Sequence, residues 1–399
     1  MIKVHSKPLN KTIEVKRLLG KYEGDLKGPT LIFTAGIHGN EPAGLFALHK
    51  VLDWLHTVNP EFKGVLYVIS GNLSALENGV RYNHTDLNRL WTEEKIAEYL
   101  ERDTRHVDDE ILQLTEIYRL ISKILETEAG PFYFFDLHTT SGDTTPFITV
   151  NDSLLNRKYT RQYPLPIILG MEEFLEGPLL SYINELGYIA FGFEGGQHDA
   201  FDAYENCIAF AFLSMVYTGC LSPAEGYFKE HFDKLKSQMV LDDKFYEIVY
   251  RQGIQPDDNF IICDGYVNFQ KIPKGTTLAI NNGSHLATPK AGHIFMPLYQ
   301  GKGSDGFFII QKIPMVFLKM SAFLRNIALD RILVMLPGVN WKSNKREELV
   351  VNLKVARFFT KKFFHLLGYR SRQTDATHLW LKNREASSRE NEYRQAPWF

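Results

Sequence analysis

A chain of 399 residues, 44% of them hydrophobic, is long enough for about two domains with full cores. Its 45 Lys and Arg against 47 Asp and Glu leave a formal charge of -2, which excludes the broad basic field of a nucleic-acid binder. Three scattered cysteines, Cys207, Cys220 and Cys263, exclude a disulfide framework and a cysteine-type zinc site, and fit a reducing compartment.

The N-terminal MIKVHSKPLNKTIEVK lacks the apolar run of a secretory signal, and no stretch of about 18 uncharged apolar residues follows it. The sequence therefore predicts a cytoplasmic chain without a membrane span. Apolar runs TLIFTAG (30–36), GVLYVIS (64–70), PFYFFDL (131–137) and GYIAFGFE (187–194) read as buried strands. Between them, 41–57, roughly 109–127, and 200–218 carry apolar residues at three- and four-residue spacing and read as helices. This alternation predicts an α/β unit over 1–225 with a mostly parallel sheet covered on both faces. From 226 to 312, short pieces such as YEIVYRQG and NFIICDGYV, set between turn residues, predict a small all-β domain. Residues 313–399 predict a basic, helical extension built on PMVFLKMSAFLRNIALDRILVML and ELVVNLKVARFFTKKFFHLLGY, with its last few dozen residues partly loose. Its amphipathic segments suit packing on the β domain, an oligomer interface, or peripheral contact with a membrane surface.

Chemistry concentrates first in GIHGNEPAG (36–44), where His38 and Glu41 sit three apart in the turn between a strand and a helix. Such a turn exposes both side chains at the carboxyl end of a strand, where α/β sheets place their ligands. Two histidines and one glutamate form a catalytic zinc set that leaves one position for water. The third ligand must come from another strand end, and FFDLHTTSGD (134–143) supplies His138. Asp136, two residues earlier, suits either the spare N–H of a ligand histidine or a neighbouring backbone group.

Together with RYNHTDLNR (81–89) and FGFEGGQHD (191–199), these blocks resemble the succinylglutamate desuccinylase/aspartoacylase family, a branch of the zinc carboxypeptidase fold, and stand in the family's order. The resemblance implies a mixed sheet flanked by helices, one Zn2+ per chain on His38, Glu41 and His138, and hydrolysis of an N-acyl amino acid or similar small amine. It implies Glu194 as general base and then acid, Arg81 as the group that stabilises the oxyanion, and Asn88 with Arg89 as the grip on a substrate carboxylate. The position of Glu194 agrees, because a carboxylate ending an apolar strand is partly buried and its pKa rises.

The sequence also departs from the family. The second carboxylate-binding arginine upstream of the catalytic glutamate has no counterpart in GPLLSYINELGYIAFGFE (177–194), which argues against dicarboxylic substrates such as N-acetylaspartate. Arg157 and Arg161 are the nearest substitutes, each more readily read as a surface residue. YQGKGSDG (299–306) matches the loop that the family's β domain lays over the active site, here glycine-rich and without a tyrosine at its tip. His84 and His198 are further pocket candidates, whereas His49 and His56 read as surface residues of the first helix. Two competing readings are a zinc carboxypeptidase acting on short peptides, and a catalytically silent scaffold that binds through its β domain and tail.

Overall fold

A computed structural model of the chain describes all residues except 102–107, 224–225, 242–243, 328–332, 336, 343–346, 356–360 and 374–376. The four apolar runs form the strands Leu26–Ala35, Lys63–Ser70, Phe132–Thr140 and Ile189–Gln197, which pair in the order 63–70, 26–35, 132–140, 189–197, all parallel. Alternate residues face opposite ways. Phe33, Phe135 and Phe191 join one apolar cluster with the helices Ala43–Val58 and Phe201–Tyr217, while Ile32, Phe134 and Ala190 join another with Asp109–Thr127 and Leu179–Glu185. Burial on both faces explains why these strands read as continuous apolar runs rather than as alternating ones.

The sheet continues to eleven strands and is mixed, not mostly parallel. Phe147–Val150 runs antiparallel to Ile189–Gln197, and Leu18–Glu23 runs antiparallel to Lys63–Ser70. The segment 226–312 does not form a separate all-β body. Phe245–Gly253 pairs in parallel with Ile167–Leu169, and Asp305–Lys312, Gly292–Phe295 and Lys271–Ile272 follow it, so these strands extend the main sheet. A three-stranded sheet of Phe260–Ile262, Thr277–Asn281 and Ser284–Ala287 stands beside it. The segment also opens with the helix Tyr227–Ser237, whose Phe228, Phe232 and Leu235 recur at helical spacing.

The extension is not helical throughout. Helices Met315–Asn326 and Lys361–Leu366 flank a four-stranded antiparallel sheet, in the order Val339–Trp341, Glu348–Asn352, His378–Asn383, Tyr369–Gln373. ELVVN and HLWLKN bury Leu349, Val351, Leu379 and Leu381 on one face, a strand period obscured in the sequence by Val350 and Trp380, which pair on the other face. Parts of both expected tail helices, 328–332 with 336 and 356–360, lie outside the described residues. The last residues are packed: the fully buried Tyr393 hydroxyl donates to the Phe132 carbonyl and accepts from the Ile189 N–H, and Trp398 donates to the Tyr133 hydroxyl. Among the described residues, no helix is long and apolar enough to cross a membrane.

A buried ionic seam joins the extension to the sheet. Arg325 bonds Asp152 and Glu385, both at 2.9 Å, Arg157 pairs with Asp152, and Arg384 bonds Glu172 at 2.8 Å and also Glu173. Burial opposes ionisation of Asp152, but Arg157, Arg325 and Arg384 outweigh it and hold the carboxyl well below the usual carboxylate range. A depressed folded-state pKa stabilises the fold above the unfolded value of about 4, and this contribution fades as the pH falls below that value. Asp152→Asn is therefore expected to unfold more readily in urea at pH 7, by about 3 kcal/mol. Its difference from the native chain should shrink below about pH 4.

Candidate active site

Glycine places the first site turn. Gly36 has φ of +73°, and a Cβ on Gly39 would lie 2.0 Å from the Ala75 backbone, so the 36–41 turn packs directly onto the chain after Lys63–Ser70. The turn projects His38 and Glu41 from the end of Leu26–Ala35, and the adjacent strand Phe132–Thr140 delivers His138. All three are buried, and their ligand atoms lie within 4.8 Å of one another. Glu41 is shared: Oε1 lies 2.8 Å from Nδ1 of His38, and Oε2 lies 3.0 Å from Nδ1 of His138.

The opposite nitrogen of each ring also faces a carboxylate. Nε2 of His138 lies 2.7 Å from Asp136, itself held by the Thr34 hydroxyl at 2.6 Å, and Nε2 of His38 lies 3.2 Å from Asp86. With the Nε2 protons given to Asp136 and Asp86, both Nδ1 lone pairs point at Glu41, an arrangement that requires a cation between them. The donor set thus fits a metal ion. Burial opposes protonation of His138, but Asp136 and Glu41 outweigh it and raise its pKa well above the ordinary imidazole range. Burial likewise opposes ionisation of Glu41, but the two histidines hold its carboxyl well below its ordinary value.

Glu194 stands on the next strand in register with His138, on a cleft of about 90 Å³ that the three candidate ligands also line. It is 7% exposed, and its Oε2 has no hydrogen-bond partner. Burial, with Glu41 and Asp136 adding, pushes its carboxyl up to about 8 against the pull of His138 and Arg81. Arg81 also lines the cleft, with Nη1 3.4 Å from Glu41 and Nη2 3.3 Å from Asp86.

The 81–89 loop is pinned by the buried Glu110, which accepts the backbone N–H groups of Asn83, His84 and Thr85. Arg89 lines the cleft, where Nη2 lies 3.4 Å from Asp305. Asn88 does not line it; its Oδ1 accepts the Leu179 N–H at 3.0 Å and ties the loop to the helix Leu179–Glu185. His84 is exposed away from the cleft, Arg157 belongs to the ionic seam, and Arg161 is exposed elsewhere, so neither arginine supplies a second cation to the site. His49 is half-buried beside Asp53, and His56 is exposed.

His198 does line the cleft, donating to or accepting from the Thr139 hydroxyl at 2.8 Å, and burial lowers its pKa. The 297–305 loop lines the cleft, where the family resemblance implies a covering loop over 299–306. Gln300 makes the contact, with Oε1 3.0 Å from Asn40 and 3.4 Å from His198, whereas Tyr299 turns away to the carbonyls of Cys263 and Tyr266. Asp86, Gln300 and Asp305 escaped sequence reasoning. Asp86 had one signal, its place five residues after Arg81 in a block rich in ligand-type side chains.

Residues 27–205 match the family model of the succinylglutamate desuccinylase/aspartoacylase catalytic domain. Over that segment the chain is similar to the succinylglutamate desuccinylase/aspartoacylase family. Curated succinylglutamate desuccinylases are similar over shorter stretches. The one from Serratia proteamaculans is 30% identical over 114 residues, 29% of this chain and 33% of the relative. One from Pseudomonas fluorescens is 27% identical over 137 residues, 32% of this chain and 38% of the relative. The chain thus aligns with only about a third of the length of these curated relatives. Two solved structures share the fold. A succinylglutamate desuccinylase from Vibrio parahaemolyticus has a TM-score of 0.53 at 14% identity, covering 73% of this chain and 83% of that one. A succinylglutamate desuccinylase/aspartoacylase from Rhodobacter sphaeroides has 0.52 at 15% identity, covering 74% and 88%.

The geometry predicts one bound divalent metal per chain. Plasma mass spectrometry should find it in the native protein and not in a His38→Ala, His138→Ala double variant; full occupancy in that variant would remove the assignment.

Proposed function

We propose that the chain is a zinc-dependent amidohydrolase that removes an N-acyl group from an amino acid or a similar small amine. His38, Glu41 and His138 would hold one zinc ion per chain. The observation that carries the reading is Glu194: a buried carboxylate with an unpartnered oxygen, on the same cleft as that His–Glu–His cluster. A structural carboxylate at this depth would be fully hydrogen-bonded, and one left open suits proton transfer.

When bound, zinc supplies Lewis acidity, lowering the pKa of water and polarising the amide oxygen. Glu194 takes a proton from the attacking water and returns it to the departing amine, so that no covalent intermediate with the protein is needed. Arg81, fixed by Asp86 and Glu41, presents a permanent positive charge to the oxyanion that develops on the carbonyl. Arg89 grips the substrate carboxylate, while Asn88 holds the loop that aims Arg89. His198 and Gln300, 3.4 Å apart on the same cleft, narrow it and limit access of bulk water.

In this reading the zinc carboxypeptidase-like division of labour follows the chain. Residues 1–225 carry the chemistry, 226–312 lay Gln300 and Asp305 over it, and 313–399 brace the wall at 171–175.

Glu194→Gln is expected to lower kcat by about a thousandfold or more while metal content stays unchanged. A scan of N-acyl amino acids against dipeptides identifies the reaction by its products, and intact turnover in that variant would refute the mechanism. The base must be ionised, and its pKa is raised. The native kcat/KM should therefore fall with decreasing pH through a group that titrates between the ordinary 4.5 and about 8.

A further inference from the structure

The cleft has two unlike ends. Around the metal cluster it is charged, but the wall facing Arg89 is built from Met171, Leu175, Met296, Leu298 and Phe308. Among the described residues that line it, Arg81 and Arg89 are the only guanidinium or ammonium groups, and both are engaged. Arg81 faces Asp86 and Glu41, and Arg89 faces Asp305. Asp305 is itself held from behind by the Arg251 guanidinium and by the Ser304 hydroxyl at 3.3 Å, so it stays in place when Arg89 turns to a ligand.

The apolar wall is also fixed. Residues 171–175 supply Met171 and Leu175, and the extension grips this segment: Arg384 bonds the carboxylates of Glu172 and Glu173, His365 lies 3.3 Å from Glu173, and Arg370 bonds the Leu175 carbonyl at 3.4 Å.

From this asymmetry we infer that the site selects an N-acyl amino acid with one carboxylate, seated on Arg89, and an uncharged apolar side chain, seated against Met171, Leu175 and Phe308. The inference rests on the amidohydrolase reading for its substrate skeleton. A second substrate carboxylate would enter an apolar wall with no free cation and lie beside Asp305, combining a desolvation cost with like-charge repulsion. A methionine- or leucine-sized side chain instead exchanges water for apolar contact there.

Calorimetric titration of the zinc-loaded Glu194→Gln chain reads binding without turnover. N-acetylmethionine is expected to bind about tenfold or more tightly than N-acetylaspartate. Asp305→Asn, added to that chain, removes the repulsion, and Leu175→Arg supplies the missing cation; each should move the ratio toward N-acetylaspartate by about tenfold. Leu175 is only half-buried, so the second variant tests the wall even where the first disturbs the loop. Tighter binding of N-acetylaspartate, or a ratio unmoved by both variants, would overturn the inference. Turnover by the native chain bears on the hydrolase reading separately: the predicted binding preference without cleavage of either compound would uphold this pocket and remove that reading.

Discussion

The carboxylate of Glu41 is the point on which the site turns. Its two oxygens face Nδ1 of His38 and His138, and the far nitrogens of those rings are fixed by Asp86 and Asp136. With Glu194 on the same cleft, four carboxylates converge where, among the described residues, Arg81 is the one permanent cation in direct contact with the cluster. Such an excess of buried negative charge is unfavourable unless cations or protons offset it. Burial first, with Glu41 and Asp136 adding, pushes Glu194 up, and Asp136 and Glu41 favour protonation of His138 against its burial. A divalent ion at the shared vertex would relieve that excess and free Glu194 to work as a base at a lower pH.

The fold is arranged to sustain this concentration of charge. Three adjacent parallel strands end on the same side, so side chains distant in sequence meet without a long loop. The rest of the chain closes the cleft: Glu110 pins the arginine loop from below, Gln300 reaches in from the long sheet extension, and Arg384 holds the 171–175 wall from the C-terminal sheet. Each of these three walls is thus anchored by a polar contact, as a site that must hold its groups in a defined geometry requires.

The catalytic half was legible because its strands are buried on both faces and stand out as apolar runs, and because His38, Glu41 and His138 fall at their ends. Seven elements expected there, four strands and three helices, appear within a few residues of where periodicity puts them. The remainder was obscured for physical reasons. The extension reads as helical because outward-facing Val350 and Trp380 fill in the alternation of ELVVN and HLWLKN, and because the cluster FFTKKFFHLL mimics a helical stripe. Asp305 and Gln300 gain their meaning only from a sheet pairing between residues more than a hundred positions from the metal cluster in sequence, which no local pattern encodes. The family resemblance implies Asn88 as part of the carboxylate grip; in the fold its Oδ1 accepts the Leu179 N–H at a helix start, a contact between segments about ninety residues apart in sequence.

The central claim is that Glu41 and the two histidine Nδ1 atoms surround a single metal. Anomalous X-ray diffraction on crystals of the zinc-loaded protein, recorded on both sides of the zinc edge, tests it most directly. The account predicts one strong peak about 2.0–2.2 Å from Nδ1 of His38, Nδ1 of His138 and a Glu41 oxygen. A cluster without a peak, or a zinc ion bound elsewhere with these three groups still paired to one another, would contradict it.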